Sequence, residues 1–106
     1  MTTKKKKPAK KPAKTPAICI IRTQSAGVHV GTVHSRNGIE VVLHDARRVW
    51  RWRGANTLHE LSQHGADEEW TRISEPAPAI LLTQAIEIIT CSAAAAANLT
   101  RSRWPA

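Results

Sequence analysis

The pattern of apolar and polar residues changes abruptly near residue 17. Residues 2–17 are only Lys, Pro, Ala and Thr, whereas the next run, ICIIRT (18–23), is rich in β-branched residues and is typical of a buried strand. Two further β-prone runs, 28–34 and 39–44, flank the sequence SRNG. An Asn-Gly pair between such runs is a strong signal for a β-hairpin. The folded part of the chain is therefore expected to begin with a strand and a hairpin.

A fourth strand is predicted over 47–53, where RRVWRWR alternates with the two-residue period of a strand. A tight turn near Asp45 and Ala46 is expected to join it to the third strand. The tryptophans of this run fall on one face and its arginines on the other. The chain has four Trp and no Phe or Tyr, so tryptophan is expected to fill a thin core. The predicted core tryptophans are Trp50, Trp52 and Trp70.

The other face of this strand is predicted to carry a basic stripe around Val49. Its arginines are Arg47, Arg51 and Arg53. If the tryptophans face inward, acidic residues such as Asp67 can pair with these arginines, within the fold or across an interface. Arginine beside an exposed aromatic side chain instead suits stacking on single-stranded nucleic acid. The pattern favours core tryptophans with salt-bridged arginines over a protein interface, and a protein interface over a nucleic-acid surface.

Two short helices follow from local signals. Thr57 and Glu60 have the spacing of a capping box, and Gly65 is a suitable C-terminal stop, which predicts a helix of about two turns. Ser92 is a natural N-cap for the alanine-rich segment that follows it. A second, terminal helix is therefore expected after the last strand.

Two more strands are predicted in the second half of the chain, a short one over 68–74 and a strong one over 85–91. Between them, the prolines of EPAPA (75–79) exclude a central strand. Together these elements predict a mainly β domain over 18–106 with two short helices. It is expected to be a small antiparallel sheet of about five or six strands, or a partly closed barrel. Its thin core favours oligomerisation or docking on a partner.

The formal net charge of +8 is concentrated in residues 1–17, here called the arm. All lysines of the chain lie there, namely Lys4, Lys5, Lys6, Lys7, Lys10, Lys11 and Lys14. From residue 18 onward nine arginines face eight acidic residues, so the body carries +1 and the arm +7. Three prolines and no large apolar run predict an extended, disordered arm. Its charge suits nucleic acid or an acidic protein surface, with salt-dependent affinity, or serves only solubility.

Candidate catalytic and metal-binding motifs are weak. His59 and His64 lie five positions apart, so a helix places them on different faces, unlike the zinc-peptidase motif H-E-x-x-H. The hairpin histidines alternate with apolar residues and are interpreted as polar positions of a solvent-facing strand; they are His29, His34 and His44. We therefore expect a protein that is not an enzyme and has no catalytic residue, metal, cofactor or small-molecule substrate.

The cysteines and the apolar runs bear on the compartment. Cys19 and Cys91 each lie in an apolar, strand-like run and are predicted to be buried, reduced thiols rather than a disulfide. The arm is not followed by the apolar stretch of a secretory signal. No run approaches the roughly 20 apolar residues that a membrane span needs. A soluble protein that is intracellular or packaged in a particle is expected, without membrane contact.

Three stretches of the sequence resemble a family of short, uncharacterised proteins found in tailed-phage and prophage genomes. They are IRTQSAGVHVGTVHSRNG, ARRVWRWRGANTLHELSQHG and ILLTQAIEIITCSAAAAANL, and the resemblance covers about residues 18–100. The domain of this family has no known function, so the resemblance transfers no catalytic or binding residue. It implies a phage setting, in which the arm is an addition outside the shared domain.

In that setting the chain is expected to be a non-enzymatic structural component of the virion, of the capsid-associated or decoration type. The β domain would contact phage structural proteins, with a homo-oligomer as one form, and the arm would tether it to neighbouring subunits or packaged DNA. The alternative is a nucleic-acid-binding accessory protein in the host cytoplasm during infection, with the arginine stripe as a second contact. A third hypothesis is a small regulator that binds a host protein through the strand at 47–53, since Arg and Trp are favoured interface anchors.

Overall fold

The computed structural model of the protein describes residues 17–103. The lysines predicted to bind a partner, from Lys4 to Lys14, lie outside the described residues. Within this range the elements follow the order β1 (Ile18–Thr23), β2 (Val28–Asn37), β3 (Glu40–Arg51), α1 (Leu58–His64), β4 (Arg72–Ile73), β5 (Ala77–Leu82), β6 (Ala85–Thr90) and α2 (Ala93–Leu99). The predicted mainly β fold with two short helices is confirmed.

The strands form one antiparallel sheet that is rolled but not closed. Neighbouring strands follow the order β4-β3-β2-β1-β6, and β5 pairs with the first half of β3. Only residues 83 and 84 connect β5, at one edge, to β6, at the other. The Ala85 amide also donates to the Ile39 carbonyl oxygen at 2.9 Å. A link this short holds the start of β6 near the β5 edge, so the sheet curls strongly, while among the described strands the rest of β6 pairs with β1 alone.

Both faces of the sheet bury apolar side chains. The cluster inside the roll, here called the roll core, contains no helix residue, and its buried members are Cys19, Ile21, Val41, Leu43, Ala46, Leu82 and Ala85. The cluster under the helices, here called the helix-side core, has the buried members Ile20, Val30, Val49, Leu61, Ile73, Ala95 and Leu99. Successive residues of β1 alternate between the two cores, as the pleat of a strand requires.

Cys19 and Cys91 belong to different faces of this sheet. Cys19 is a member of the roll core, and Cys91 packs at the margin of the helix-side core. Both are free thiols, as the sequence predicts. Burial raises the pKa of the Cys19 thiol, and burial together with the neighbouring Cys19 raises the pKa of the Cys91 thiol to about 11, so neither position favours a reactive thiolate at neutral pH.

The hairpin predicted at SRNG is confirmed, with its turn one residue later than the Asn-Gly pair indicates. Asn37 pairs with Glu40, so Gly38 and Ile39 are the two turn residues. Gly38 has a φ of 63°, a left-handed value that glycine adopts at little cost. Glycine at the first central position is typical of a type II′ turn.

The tight turn expected near Asp45 and Ala46 is wrong, because the third and fourth predicted strands form the single strand β3. The pairing of β3 with β2 slips by one residue between Val30 and Thr32. The slip is a β-bulge in which Asp45 has a φ of 51°, a conformation that Asp adopts more readily than most residues other than glycine. A turn-forming residue here bends a continuous strand instead of ending it.

Both predicted helices are confirmed, together with their caps. The Thr57 hydroxyl accepts a hydrogen bond from the Glu60 amide, and the Ser92 hydroxyl accepts one from the Ala95 amide, each at 3.1 Å. Gly65 ends α1 with a φ of 76°. Each helix has only seven residues, so its stability depends on packing against the helix-side core. Neither helix of the described range has the length and apolar character needed to cross a membrane.

Two predictions for the second half of the chain need correction. The strand expected over 68–74 is limited to Arg72–Ile73. The residues before it are not extended, because the Asp67 carboxylate accepts hydrogen bonds from the Trp70 and Thr71 amides. β5 is absent from the predicted elements, since Pro78 lies within it. It occupies the edge of the sheet, where a residue that lacks an amide hydrogen is tolerated. The last strand, predicted over 85–91, is confirmed as β6.

Candidate functional site

A second bulge in β3 places Trp50 and Arg51 together on the outer surface of the sheet. Val49 pairs with Ile73, but Arg51 pairs with Arg72, so Trp50 is an extra residue relative to β4. Ile73 faces the helix-side core, and the next pair, Arg51 and Arg72, therefore points to the opposite side. A bulge changes the direction of the side chains around it, which is why simple alternation fails here.

The faces predicted for this strand are wrong. Val49 is buried in the helix-side core and is not the centre of a basic stripe. Trp50 and Trp70 are 43% and 40% exposed, so they do not fill the core. Only Trp52 has the expected place, partly buried against the helix-side core.

Four side chains form one exposed group, here called the Arg-Trp cluster: Trp50, Arg51, Arg53 and Trp70. The central carbon of the Arg51 guanidinium lies 4.3 Å from the centre of the Trp70 ring and 5.2 Å from that of Trp50. The Arg51 Nε also donates to the Trp70 carbonyl oxygen at 2.9 Å. The Arg53 guanidinium lies 5.9 Å from the Trp70 ring. These cation–π contacts orient the tryptophan rings while leaving part of each ring in solvent.

Asp67 organises the loop that carries Trp70. Its Oδ1 accepts hydrogen bonds from the amides of Trp70 and Thr71 at 3.0 Å and 3.1 Å, and from the Thr71 hydroxyl at 3.1 Å. Its Oδ2 accepts one from Arg53 Nε at 2.7 Å. Desolvation alone would raise the pKa of Asp67, but these bonds, with that from Arg53 foremost, lower it to about 2. The ionised carboxylate therefore fixes both Trp70 and Arg53.

The C-terminal segment holds the same loop from the other side. The Asn98 side chain forms two hydrogen bonds with the backbone of Ala66, at 3.0 Å and 3.1 Å. Glu68 forms ion pairs with Arg101 and Arg103, and its Oε1 lies 3.2 Å from Arg103 Nε. The hydrogen bond from Arg101 is the main cause that lowers the pKa of Glu68. The loop that presents the cluster is thus anchored on both sides.

The predicted arginine stripe does not form as one surface. Arg47 is partly buried and donates a hydrogen bond to the Ser102 hydroxyl. Of the predicted site arginines, Arg53 has a carboxylate partner, as the salt-bridge interpretation expects. Elsewhere in the described chain, no carboxylate forms an ion pair with Arg51 or Arg72. These two guanidinium groups donate to backbone carbonyl oxygens, Arg51 to that of Trp70 and Arg72 to those of Glu69 and Thr71, but no carboxylate of the described chain neutralises their charge.

A shallow groove of about 390 Å³ opens on the helix side of the sheet. It is lined by Arg22, Val28, Trp52, Asn56, Thr57, Leu58, His59 and Glu87. Several of its polar groups already serve the fold, since Arg22 pairs with Glu87 at 3.4 Å and Thr57 caps α1. The groove follows from the way α1 packs on the sheet, and it lies on the face opposite Trp50.

The histidines differ from expectation at one position. His34 and His44 stack at the surface, with ring centres 4.1 Å apart. His29 is buried, so its interpretation as a solvent-facing residue is wrong. Burial, and then the nearby Arg48, lowers the pKa of His29. Over residues 17–103, no three His, Cys, Asp or Glu side chains are grouped to hold a metal ion.

The sequence alone identifies the tryptophans and arginines of this site but not the residues that hold them in place. Asp67 is only one of several acidic residues that the sequence offers to the arginines, and neither Arg72 nor Asn98 is suggested by any pattern. One feature of the sequence could have indicated the role of Asp67, namely its position three and four residues before Trp70 and Thr71. Asp side chains commonly accept hydrogen bonds from backbone amides a few residues further along the chain.

Comparison with known proteins places the chain in a family. A family model described as a domain of unknown function (DUF6948) matches residues 16–99, which is most of the chain. No curated protein and no solved structure gives a significant match. The match agrees with the resemblance to an uncharacterised family, while the phage setting stays a prediction.

Proposed function

We propose, on the premise that the chain belongs to this family of unknown function (DUF6948), that it is a non-enzymatic nucleic-acid-binding accessory protein. The observation that supports this function most is the pair of exposed tryptophans, Trp50 and Trp70, which both contact the Arg51 guanidinium through cation–π interactions. Exposed aromatic rings stack on the bases of single strands, and each stacked base contributes about 1–3 kcal/mol. Oriented rings lose little entropy when a base stacks on them.

The distribution of charge supports the same proposal. Arg51 and Arg72 have no carboxylate partner in the described chain, so each offers a guanidinium to a phosphate group. The body alone carries +1, whereas the arm carries +7. In this proposal the arm supplies most of the electrostatic attraction and the Arg-Trp cluster supplies base stacking.

The attachment point of the arm is compatible with one continuous binding surface. The arm joins the body at Ile18, which aligns with Thr32, whereas the cluster end of β3 aligns with Arg22 through Val28. These positions are about 13 Å apart along the strands and about 10 Å across them. A segment of 17 residues, the length of the arm, spans at most about 60 Å when fully extended, so arm lysines and the cluster are able to contact one strand of nucleic acid.

The test is binding of labelled single-stranded oligonucleotides, measured by fluorescence anisotropy over a series of salt concentrations. Trp50→Ala is expected to weaken binding about tenfold at fixed salt, because one stacking surface is removed. Deletion of residues 1–17 is expected to reduce the log-log salt slope by as much as about five, at about 0.7 for each phosphate that a lysine of the arm neutralises. The two changes therefore separate stacking from charge.

Trp50→Phe, which keeps an aromatic ring, and Leu81→Ala, at another exposed apolar position, are the matched controls and should bind like the wild type. If the full chain shows no salt-dependent binding, the nucleic-acid function is excluded. If deletion of the arm abolishes binding while Trp50→Ala and Trp70→Ala change nothing, the arm binds alone and the cluster is not part of the site.

A second candidate function is the virion structural component expected from the sequence, with the arm as a tether to neighbouring subunits or packaged DNA. It is supported by exposed apolar side chains that lie outside the Arg-Trp cluster, namely Ile39, Leu81 and Ile86, because such residues suit contacts with other proteins. Quantitative mass spectrometry on purified particles tests it. A fixed copy number relative to the major shell protein supports this role, and absence from particles excludes it.

A further inference from the structure

The outer edge of β6 has unused backbone hydrogen-bonding groups. The Cys91 amide donates to the Ile18 carbonyl oxygen at 2.8 Å, in register with the pairing of β6 and β1. Alternate residues of an antiparallel strand point their backbone groups to opposite sides, so those of Ile88 and Thr90 point away from β1. In the described part of the chain, β1 is the one strand that pairs with β6. No other described segment forms a backbone hydrogen bond with these two residues.

The side chains along this edge do not protect it. β6 contains neither Lys nor Pro, the residues that commonly keep an edge strand from pairing with another chain. Ile86 is 50% exposed, and Glu87 is the single charged residue of the strand. The opposite edge of the sheet differs, because β5 contains Pro78 and β4 has only two residues.

We propose that β6 pairs with β6 of a second copy of this chain, antiparallel and across a two-fold axis, so that two sheets become one. The backbone groups of the β6 edge in one copy then form hydrogen bonds with the same edge of the other copy, as an isologous interface requires. With the axis near Ile89, the outward-pointing backbone groups of Ile88 in one copy meet those of Thr90 in the other. The two Glu87 side chains are then offset instead of opposite, which avoids a like-charge pair across the strands.

Two further observations favour a closed dimer of identical chains. The body carries only +1, so its charge does not oppose the approach of a second copy. Pairing of β6 with the far edge of another copy would generate an open filament, and Pro78 in β5 disfavours that arrangement because it lacks an amide hydrogen. The dimer is independent of the proposed nucleic-acid function, since the Arg-Trp cluster lies on β3 and the loop before β4.

The test is sedimentation equilibrium of the full chain at physiological salt, which screens the charge of the arm. The wild type is expected to sediment as a reversible dimer. Thr90 is exposed, and Thr90→Lys and Thr90→Glu each place like charges on both facing edges, so each variant alone is expected to be a monomer. An equimolar mixture of the two variants is expected to recover the dimer, because the facing charges are then opposite.

Leu81→Lys on β5 is the matched control, since it adds the same charge to the other edge and should leave the dimer intact. Circular dichroism establishes that each variant stays folded, and Ile86→Lys replaces any Thr90 variant that does not fold. A wild type that stays monomeric up to about 1 mM overturns the proposal. So does a dimer that survives Thr90→Lys, or one that Leu81→Lys dissociates.

Discussion

The two cores of this small protein are covered in different ways. The helix-side core lies under α1 and α2, two helices of seven residues that begin at side-chain caps and pack through Leu61 and Leu99. The roll core contains no helix residue and is enclosed by the sheet itself, which bends at bulges in its strands. The helices over the helix-side core therefore form from local sequence signals, whereas enclosure of the roll core depends on pairing between strands that are distant in the sequence.

This difference concerns the candidate site as well. The Arg-Trp cluster lies just after β3 passes from one core to the other, since Leu43 faces the roll core and Val49, six residues later, faces the helix-side core. Regular alternation would put these two residues on the same face, so the bulge at Asp45 makes that passage, and the bulge at Trp50 follows it. Irregular pairing thus encloses the roll core and also places aromatic rings in solvent.

The largest expected effects come from truncating one side chain in each core. Leu61→Ala and Leu43→Ala should each reduce the free energy of unfolding by about 2–5 kcal/mol, because both side chains are fully buried. Urea denaturation measures that reduction. Amide hydrogen exchange should distinguish the variants, since Leu61→Ala is expected to accelerate exchange mainly in α1 and α2, and Leu43→Ala throughout the strands. Identical exchange patterns in the two variants would show that the helices and the sheet unfold as one unit.

A smaller effect is expected at the end of α1. A Cβ at Gly65 would lie 2.7 Å from Asn98 Cγ, and its φ of 76° disfavours any other residue, so Gly65→Ala should cost about 2–3 kcal/mol. Gly38→Ala is the matched control, because Gly38 has a similar φ of 63° with no atom within 4 Å of the added Cβ, and it should cost about 1 kcal/mol. Equal decreases in stability on thermal or urea unfolding would mean that the contact with Asn98 does not hold the loop after α1.

At pH 7 the smallest effect is expected at His29, on the roll-core side of β2. Its pKa in the folded protein lies below the ordinary 6.5 because of burial and then Arg48. The folded state therefore binds fewer protons than the unfolded chain, so this contribution to stability is complete above pH 6.5 and declines as the pH falls toward the folded pKa. His29→Leu should reduce the loss of stability between pH 7.5 and pH 5, measured by urea denaturation. An unchanged slope would show that another group causes the pH dependence.

The sequence predicts those parts of the fold that depend on neighbouring residues. The hairpin at Gly38 and both capped helices follow from short-range patterns, and all three are confirmed. Pairing over long distances decides the rest. Asp45 looks like a turn residue because nothing local shows that β5 runs beside it, and Pro78 hides β5 itself.

The candidate site shows the same division. The sequence identifies Arg51, Arg53 and the tryptophans as the residues of interest, but it assigns Trp50 to the wrong face. One extra residue relative to β4 is enough to reverse that assignment. Whether a strand carries such a bulge depends on its partner, and nothing within residues 47–53 indicates the short strand that follows.

The pairing of β1 with β6 also bears on how the chain is made. Ile20 pairs with Ile89, so after β1 leaves the ribosome it must wait for nearly the whole described domain before its second neighbour, β6, exists. At about 5–20 residues per second, that interval lasts about 3–14 s. Until β6 is made, β1 pairs with β2 on one side, and the backbone groups on its other side stay unpaired. Ile20 and Ile21, which are fully buried in the complete domain, belong to this strand. A nascent chain that stops before Ala85 therefore has an incomplete sheet, in which the unpaired edge of β1 is prone to pair with another chain.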